Sequence, residues 1–475
     1  MPRETAILIA LAAYLLGLLA LGFLAKQKTH DAAGFYLGGR TLGPWVAALA
    51  ANASSSSAWS LVGTSGFAYR HGLAALWLLP GCVGGFVLNW WIVAPRLRAR
   101  TGEAITLTDY LAGPRGAPGH RALAITASLL TLGSLATYVA AQMQAAGSAF
   151  THAFTTELNL GILLGAGVTI AYTLLGGYLA ASITDTLQGI LMVVVAVVLP
   201  AAAIVHLGGI AAFSEAVGAV DAPGFQSLFG PREGLAAAAF AFGLCGIGLG
   251  YPGQPHAVNK FMGMSPTASM TVARTVGIAW AVLLYGGMIV LGLAARALWA
   301  LPEGGHEDAL YEASRNLFPP LLDGVILASV LAAIMSTVDS QLLVCASSIT
   351  HDLGLRPASP RHMLLLARGT VLAIGVAGTA TAMLLAKNVF DNVLFAWAAL
   401  GSAFGPLLLI RLCAGAVAPN WALASMLTGG GLAIACYYLP EPVLARGFDE
   451  RVLSWVAALA LAWFGHRRAR SEERV

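Results

Sequence analysis

The sequence predicts an all-α protein that crosses a membrane many times, and three observations support this prediction. Hydrophobic residues make up 58% of the 475 residues and charged residues only 10%, whereas soluble domains carry about a quarter charged residues. Apolar runs long enough to span a bilayer as helices recur along the whole chain. Two of these runs are interrupted near their centres by polar residues or by glycine and proline.

Thirteen apolar segments are predicted to be transmembrane helices. They lie near residues 5–25, 42–68, 73–94, 121–150, 158–178, 184–206, 234–254, 271–298, 325–350, 363–386, 390–412, 418–438 and 451–466. We interpret the first segment as a retained helix rather than a signal peptide, because it is long and lacks a small-residue cleavage site. An odd number of helices places the two termini on opposite sides of the membrane.

The basic residues predict the orientation of the chain. With the N-terminus outside, the inner loops and the C-terminal tail hold 18 of the 26 lysines and arginines, Lys260 among them. Because Lys and Arg are enriched in cytoplasmic loops, we expect a multi-pass protein of the cell inner (plasma) membrane with its C-terminus in the cytoplasm. The net charge of +4 indicates no nucleic-acid partner, since the basic residues belong to loops that flank the membrane.

Features of enzymes and of metal-binding or disulfide-bonded proteins are missing from the sequence. The five cysteines lie in or beside apolar runs, and no two have the spacing of a metal site. We interpret them as small packing residues. We also find no nucleotide motif and no nucleophile–base pair, so we expect neither an enzyme nor a bound cofactor. The expected partners are the lipid bilayer, an ion and a small solute, with no obligatory protein partner.

The two interrupted segments indicate a transporter. The first, GPWVAALAANASSSSAWSLVGTSGFAY, has Asn52 and the serines at 54–57 at mid-depth, and the second, FGLCGIGLGYPGQPHAVNKFM, has closely spaced glycines and prolines. Such breaks are tolerated at membrane depth only where the freed backbone lines a cavity or is buried in protein. They fall in the second and seventh segments, so they run in opposite directions, as in two inverted halves around a central site. The alternative is a proline kink or a glycine packing face at each break.

A hydroxyl-rich stretch, AAIMSTVDSQLLVCASSITHD at 332–352, lies in another apolar run. At helical spacing Ser336, Asp339 and Ser340 share one face, and Thr337 lies at its edge. Polar side chains at this depth are costly unless they face a cavity, an ion or a partner, and hard cations prefer oxygen ligands. The stretch therefore predicts a site for a small cation. The alternative is that the hydroxyls bond to their own helix or join neighbouring helices.

Several stretches resemble the sodium:solute symporter family. They are FYLGGRTLGPWVAALAANASSSSAW, LTDYLAG, GGYLAASITDTLQGILM, GLGYPGQPHAVNKFM, MSTVDSQLLVCASSITHDL and FAWAALGSAFGPLLL, and they cover most of 34–412 in the family's order. The stretches GYPGQPH and MSTVDSQLLVCASSIT most resemble the sodium/proline branch. The resemblance implies a five-plus-five inverted-repeat core, with broken first and sixth core helices, that alternates between outward and inward openings.

This organisation divides the chain into five parts. They are an extra N-terminal helix with its inner loop, the first repeat, an outer loop, the second repeat, and two extra helices with a short tail. The expected boundaries are 1–33, 34–206, 207–233, 234–412 and 413–475.

The resemblance also implies where sodium, the expected coupling ion, binds. The site would lie between the first and eighth core helices, with the backbone carbonyls of Ala53, Ser56 and Ala333 as three ligands. The hydroxyls of Ser336 and Thr337 would complete it. Five neutral oxygens make a weak, exchangeable site and disfavour divalent ions, which usually recruit carboxylates.

Asp185, Asp339 and Ser340 leave two interpretations open. Some family members bind a second sodium near the aspartate that Asp185 matches, so one interpretation is a second cation or a proton held there. The other, which we favour, is that Asp185 caps a helix end at the cytoplasmic exit and eases sodium release. Ser55 stands where the proline carriers have an aspartate that contributes to sodium dependence. The hydroxyls at 55–57 are candidates to replace it in part as oxygen donors.

The resemblance implies a solute pocket between the two breaks. Its expected residues are Ser57, Tyr138, Gln142, Ile247, Tyr251, Gln254 and Pro255. Tyr251 is expected to close over a small apolar ring while its hydroxyl bonds a carboxylate, and half-helix N-termini would attract that carboxylate. Ile247 stands where the proline carriers have a tryptophan, which favours a larger or differently shaped pocket. Gln142 and Gln144 suit either a more polar solute or a helix–helix hydrogen bond.

Together these features predict a sodium-coupled secondary active symporter that imports a small solute by alternating access. Proline or a related amino acid is the first candidate. One alternative is the same fold carrying a monocarboxylate, a polyol or sugar, or another zwitterion. The other is a transporter-like sensor that acts with a separate signalling partner.

Overall fold

The computed structural model describes residues 1–26, 38–102, 104–175, 178–354, 360–384, 389–440 and 442–472. Across these ranges the chain is helical, and its one β-type pairing is an isolated bridge between Leu42 and Met264. The α-helices are α1 (Arg3–Lys26), α2 (Pro44–Ser55), α3 (Thr64–His71), α4 (Leu78–Leu88), α5 (Ala94–Arg100), α6 (Leu107–Ala112), α7 (His120–Phe154), α8 (Leu158–Leu175), α9 (Tyr178–Leu207), α10 (Ile210–Gly218), α11 (Gly234–Cys245), α12 (Pro255–Met262), α13 (Met270–Leu298), α14 (Ala309–Leu317), α15 (Pro320–Ser347), α16 (Pro360–Ala382), α17 (Val389–Cys413), α18 (Pro419–Tyr438), α19 (Arg446–Phe448) and α20 (Ser454–Glu472).

Short turns of 3₁₀ or π type connect or extend these helices. They are Gly38–Arg40, Trp59–Gly63, Gly72–Trp77, Asn89–Val93, Gly246–Gly253, His306–Asp308, Ser348–Asp352 and Asp449–Leu453. The expected domain boundary between 33 and 34 lies outside the described residues, as do the inner-loop residues Lys28, Arg356 and Arg474.

The helices confirm the prediction of an all-α membrane protein. Nine helical stretches among the described residues are long and apolar enough to cross a membrane. Each of the thirteen predicted segments overlaps at least one described helix. Several of them, such as 42–68, are built from shorter helical pieces, so the count of thirteen spans stays a prediction.

The first predicted break is confirmed in α2. The helix ends at Ser55, and Ser56 takes an extended conformation with φ −122° and ψ 99° before the π turn Trp59–Gly63 resumes the helical path. The hydroxyl of Ser55 donates to the carbonyl of Asn52 at 3.0 Å. A serine that bonds its own backbone in this way offers the chain an alternative to continuing the helix.

The second predicted break, between α11 and α12, is confirmed as well. The glycine-rich 3₁₀ turn Gly246–Gly253 follows α11, and Gln254 is extended with φ −93° and ψ 101°. Pro255 then begins α12. Proline suits the first position of a helix, because its φ is already fixed and its missing N–H would have no partner there.

Helix α15 lies at the centre of the bundle. It packs against α1, α2, α7, α9 and α16, and every residue from 326 to 342 is buried. The hydroxyl-rich part of α15 therefore faces other helices and not lipid. It meets the broken end of α2, which brings the two polar stretches of the sequence together.

Candidate functional site

Four of the five predicted sodium ligands meet where the broken end of α2 crosses α15. The hydroxyl of Ser336 donates to the carbonyl of Ala53 at 3.1 Å and to the carbonyl of Ala333 at 3.2 Å. The hydroxyl of Thr337 lies 3.5 Å from the same Ala53 carbonyl. All four residues are fully buried, so this oxygen cluster is shielded from water.

Ser56, whose backbone carbonyl is the fifth predicted ligand, adjoins the same crossing through its amide and its hydroxyl. Its amide donates to the Ala53 carbonyl at 3.2 Å, and its hydroxyl lies 3.3 Å from the hydroxyl of Tyr285. The donor set at the crossing consists of neutral carbonyl and hydroxyl oxygens. Such oxygens suit a small hard cation, and the hydroxyls of Ser336 and Thr337 can rotate to turn their lone pairs toward it.

A buried ion pair lies beside this oxygen cluster. The ammonium of Lys260 is 2.8 Å from Oδ2 of Asp185, and their side chains are 2% and 0% exposed. The hydroxyl of Ser54 donates to the same Oδ2 at 3.1 Å and lies 3.1 Å from the hydroxyl of Ser340. The hydroxyl of Ser182 accepts from Lys260 at 3.2 Å.

Two interpretations from the sequence are wrong at this ion pair. Lys260 does not lie in an inner loop, because α12 begins at the mid-depth break and keeps its next turns buried among other helices. Asp185 does not cap a helix end, because it lies inside α9 and its carboxylate pairs with Lys260. The sequence pattern ended the seventh segment at 254 and so overlooked the half-helix that carries the lysine.

Asp339 contributes a second carboxylate to this region. The residue is 2% exposed, and neither carboxylate oxygen has a hydrogen-bond partner among the described residues. It interacts electrostatically with Asp185 and Lys260, and also with Tyr14 of α1 and Tyr172 of α8. The region therefore combines two carboxylates with one ammonium.

The first group of predicted solute-site residues lies at the break of α2. Tyr138 of α7 donates its hydroxyl to the hydroxyl of Ser57 at 3.3 Å. Gln142, one turn further along α7, accepts a hydrogen bond from the amide of Ala58 at 3.1 Å. Its Nε2 has no hydrogen-bond partner in the described part of the chain, so this amide is able to bind a polar group.

The second group surrounds Tyr251 at the other break. The ring of Tyr251 contacts Phe86 and Trp397, each with ring centroids 4.7 Å apart. Its hydroxyl lies 3.0 Å from the hydroxyl of Tyr285, which is also bonded to Ser56. Tyr285 therefore connects the two breaks.

Trp397 of α17 holds the remaining residues of the second group. Its indole N–H donates to the carbonyl of Ile247 at 3.1 Å, and its carbonyl accepts from Nε2 of Gln254 at 3.0 Å. Pro255 follows directly as the first residue of α12. Ile247 is buried, and Trp397 supplies an aromatic side chain next to it.

The hydroxyls at 55–57, expected to act in part as ion ligands, are all engaged elsewhere. Ser55 bonds to Asn52, Ser56 lies against Tyr285, and Ser57 accepts from Tyr138. Several residues of the site are not among those predicted from the sequence. Trp397 was detectable, because it lies in a stretch that resembles the tenth core helix. The sequence does not mark Tyr285, Phe86 and Lys260 as site residues, because their place in the site depends on which faces of their helices point inward.

A cavity lies next to the ion pair and is called the inner cavity here, because Thr106 of a predicted inner loop lines it. It measures about 20 Å³ and is lined by Thr106, Tyr178, His256, Asn259, Lys260, Ser340, Leu343, Val344 and Ser347. His351 lies 3.2 Å from the carboxylate of Asp109 in α6. Burial raises the pKa of Asp109, but hydrogen bonds from His351 and the Ile105 amide outweigh this effect and hold its pKa below the ordinary value.

Comparisons with known proteins agree with this geometry. The family model of the sodium:solute symporter family matches residues 35–429. The chain is 35% identical to the osmoregulated proline transporter OpuE of Bacillus subtilis, over 99% of this chain and 97% of that protein. It is 34% identical to the sodium/proline symporter of Escherichia coli, over 90% of this chain and 87% of that protein.

Solved structures share the fold at lower sequence identity. A sodium-coupled sialic acid symporter in a substrate-bound, outward-open state matches with a TM-score of 0.80 and 16% identity, over 97% of this chain and 98% of that one. Mhp1, a nucleobase-cation-symport-1 family transporter, matches in its closed conformation with a TM-score of 0.57 and 15% identity, over 93% and 95% of the two chains. The predicted symporter fold is confirmed. The chain belongs to the sodium:solute symporter family, whose members in these comparisons are transporters and not enzymes.

Proposed function

We propose that this protein imports proline, or a closely related amino acid, together with sodium. The observation that supports the proposal most directly is the crossing of α2 and α15, where the buried hydroxyls of Ser336 and Thr337 meet the carbonyl of Ala53. The proline transporter and the sodium/proline symporter that the chain resembles over nine-tenths of its length or more support proline as the solute.

In this proposal sodium binds among the oxygens of Ala53, Ser56, Ala333, Ser336 and Thr337. These residues belong to two separate helices, so the ion joins the broken end of α2 to α15. An ion that binds one conformation more tightly shifts the population toward it. In this proposal sodium binds the outward-open state more tightly and so stabilises it, and the solute enters in that state.

The solute binds between the two breaks in this proposal. The N-terminus of α12, beginning at Pro255, directs its positive dipole end toward a carboxylate. Tyr251 and Trp397 pack against the apolar ring of the solute, and Tyr138 offers a hydroxyl. The buried Nε2 of Gln142 supports a second candidate, a more polar solute such as a hydroxylated amino acid, a monocarboxylate or a polyol.

Asp185, Asp339 and Ser340 form the proposed release path. Ser340 lies one turn from Ser336 along α15 and also lines the inner cavity, so it lies between the sodium crossing and that cavity.

We also propose that the N-terminus is outside the plasma membrane. The excess of basic residues in the predicted inner loops supports this orientation, and it persists when the buried Lys260 is left out.

Uptake of labelled proline into proteoliposomes tests the proposal. With sodium outside and potassium inside, we expect proline to accumulate above its external concentration, and replacing external sodium by potassium should abolish accumulation. A panel of unlabelled hydroxyproline, lactate and inositol, added as competitors, separates the second candidate from the first. If sodium stabilises the purified protein against heat but drives no proline uptake, the proposal of a sodium site stands, and the proposal that proline is the solute is wrong.

A further inference from the structure

The ammonium of Lys260 is held by the kinds of groups that hold a bound cation. Oδ2 of Asp185 lies 2.8 Å from it and the hydroxyl of Ser182 lies 3.2 Å from it. The ring of Tyr178 lies below it, 4.8 Å from ring centroid to nitrogen. A carboxylate, a hydroxyl and an aromatic face all attract cations. The nitrogen thus sits where an ion beside Asp185 would find its ligands.

Two further helices direct oxygen atoms toward the same carboxylate. Ser54 of α2 donates to Oδ2 of Asp185, and Ser340 of α15 contacts Ser54. Helices α2, α9, α12 and α15 therefore converge on one buried carboxylate. Without the lysine, these side chains offer only oxygen donors and a negative charge.

The charges of the ion pair balance without a sodium ion. The carboxylate of Asp185 and the ammonium of Lys260 lie 2.8 Å apart, and both residues are at most 1% exposed. A second sodium would be repelled by the ammonium, and this repulsion is strong where water is excluded.

We propose that Lys260 is a tethered cation that fills the cation position beside Asp185, so that the protein binds one sodium ion instead of two. The inference rests on the proposed sodium coupling and specifies its stoichiometry. The lysine acts through Asp185 and does not touch the solute. A neutral residue at position 260 leaves the carboxylate of Asp185 and oxygen donors from three helices, α2, α9 and α15, which is a site for a second sodium.

Counting bound sodium ions tests this inference without any solute. The purified protein in nanodiscs is titrated with radiolabelled sodium, and the ions bound per protein at saturation are measured. We expect one ion for the wild type and one for K260R, which keeps the charge. We expect two ions for K260Q, with a sodium titration that becomes cooperative. The double variant D185N/K260Q removes both charges of the pair and should return to one ion.

The number of sodium ions bound to each variant supports or overturns the inference about Lys260. Two ions bound to the wild type would overturn the inference, and so would a single ion bound to folded K260Q. If K260Q does not fold, the double variant remains informative, because the neutral pair leaves no buried unpaired charge, and two ions bound to it would also overturn the inference. One ion bound to the wild type without any proline uptake would reject only the proposed solute. Absence of sodium binding would reject the coupling and the inference together.

Discussion

Ser336 shows why a hydroxyl in an apolar helix is ambiguous in the sequence. One hydroxyl group bonds both to Ala333 of its own helix and to Ala53 of α2. A bond within the helix, a bond between helices and an ion ligand are alternatives for such a hydroxyl, and the first two occur together at this atom. An oxygen that lies among other oxygens at a helix crossing is also placed to bind an ion.

Replacing Ser336 and Thr337 together by alanine tests their role as ligands. The variant removes two of the five proposed ligand oxygens, and each lost polar contact costs about 0.5–1.5 kcal/mol. We expect the sodium concentration for half-maximal uptake to rise about 5-fold to 150-fold, with little change in uptake at saturating sodium.

The matched control is S329A. Ser329 is also buried in α15, and its hydroxyl donates to the carbonyl of Ile326 in its own helix. Its sodium dependence should stay at the wild-type value. Equal sodium dependence in the double variant and in S329A would contradict the assignment of Ser336 and Thr337.

The sequence revealed those site residues whose chemistry is unusual for their surroundings. Ser336, Thr337 and Asp339 stand out because polar groups are rare in apolar helices. Tyr285 does not, because an aromatic residue in a transmembrane helix is ordinary. Its part in the site depends on hydroxyl contacts with Ser56 and with Tyr251, which only the packing of separate helices brings about.

At the scale of the element, the breaks were predictable because they follow from local chemistry. Glycine weakens a helix and proline removes a backbone hydrogen-bond donor, so the sequence GIGLGYPGQP predicts a break in the helix. The continuation beyond the break was not predictable in the same way. Helix α12 looks amphipathic and short in the sequence, and its burial depends on α2, α5 and α15 packing around it.

Gly85 of α4 provides an element-scale prediction. A Cβ at this position would lie 2.2 Å from the ring of Tyr251, so α4 and the broken segment pack closely only because the side chain is absent. We expect G85A to destabilise the protein by about 1–3 kcal/mol through overpacking and to reduce proline uptake. Thermal unfolding and transport of the purified protein measure both effects.

The neighbouring Gly84 is the control. A Cβ there would meet no heavy atom within 4 Å, and both substitutions carry the same gain in helix propensity, about 1 kcal/mol. G84A should therefore be at least as stable as the wild type and transport normally. A loss of stability in G84A equal to that in G85A would show that the contact with Tyr251 is not the cause.

At the scale of the whole molecule, the order of the motifs identified the family before any contact was known. Two breaks of opposite direction restrict the fold, because irregular backbone in a membrane must be enclosed by protein. The orientation of the termini stays a prediction from charge. The proposed stoichiometry could not be predicted from the sequence, because the proposal depends on Lys260, whose burial beside Asp185 emerges only from the assembled helices.

Coupling between the sodium flux and the proline flux can be tested by letting a proline gradient drive sodium. Proteoliposomes hold equal sodium concentrations on both sides, with radiolabelled sodium added outside and the membrane potential clamped at zero. An inward proline gradient is then imposed. We expect labelled sodium to enter above isotopic equilibrium while the gradient lasts, and S336A/T337A to fail to show this at the same sodium concentration. Sodium entry that is the same with and without the proline gradient would show that the two fluxes are not coupled.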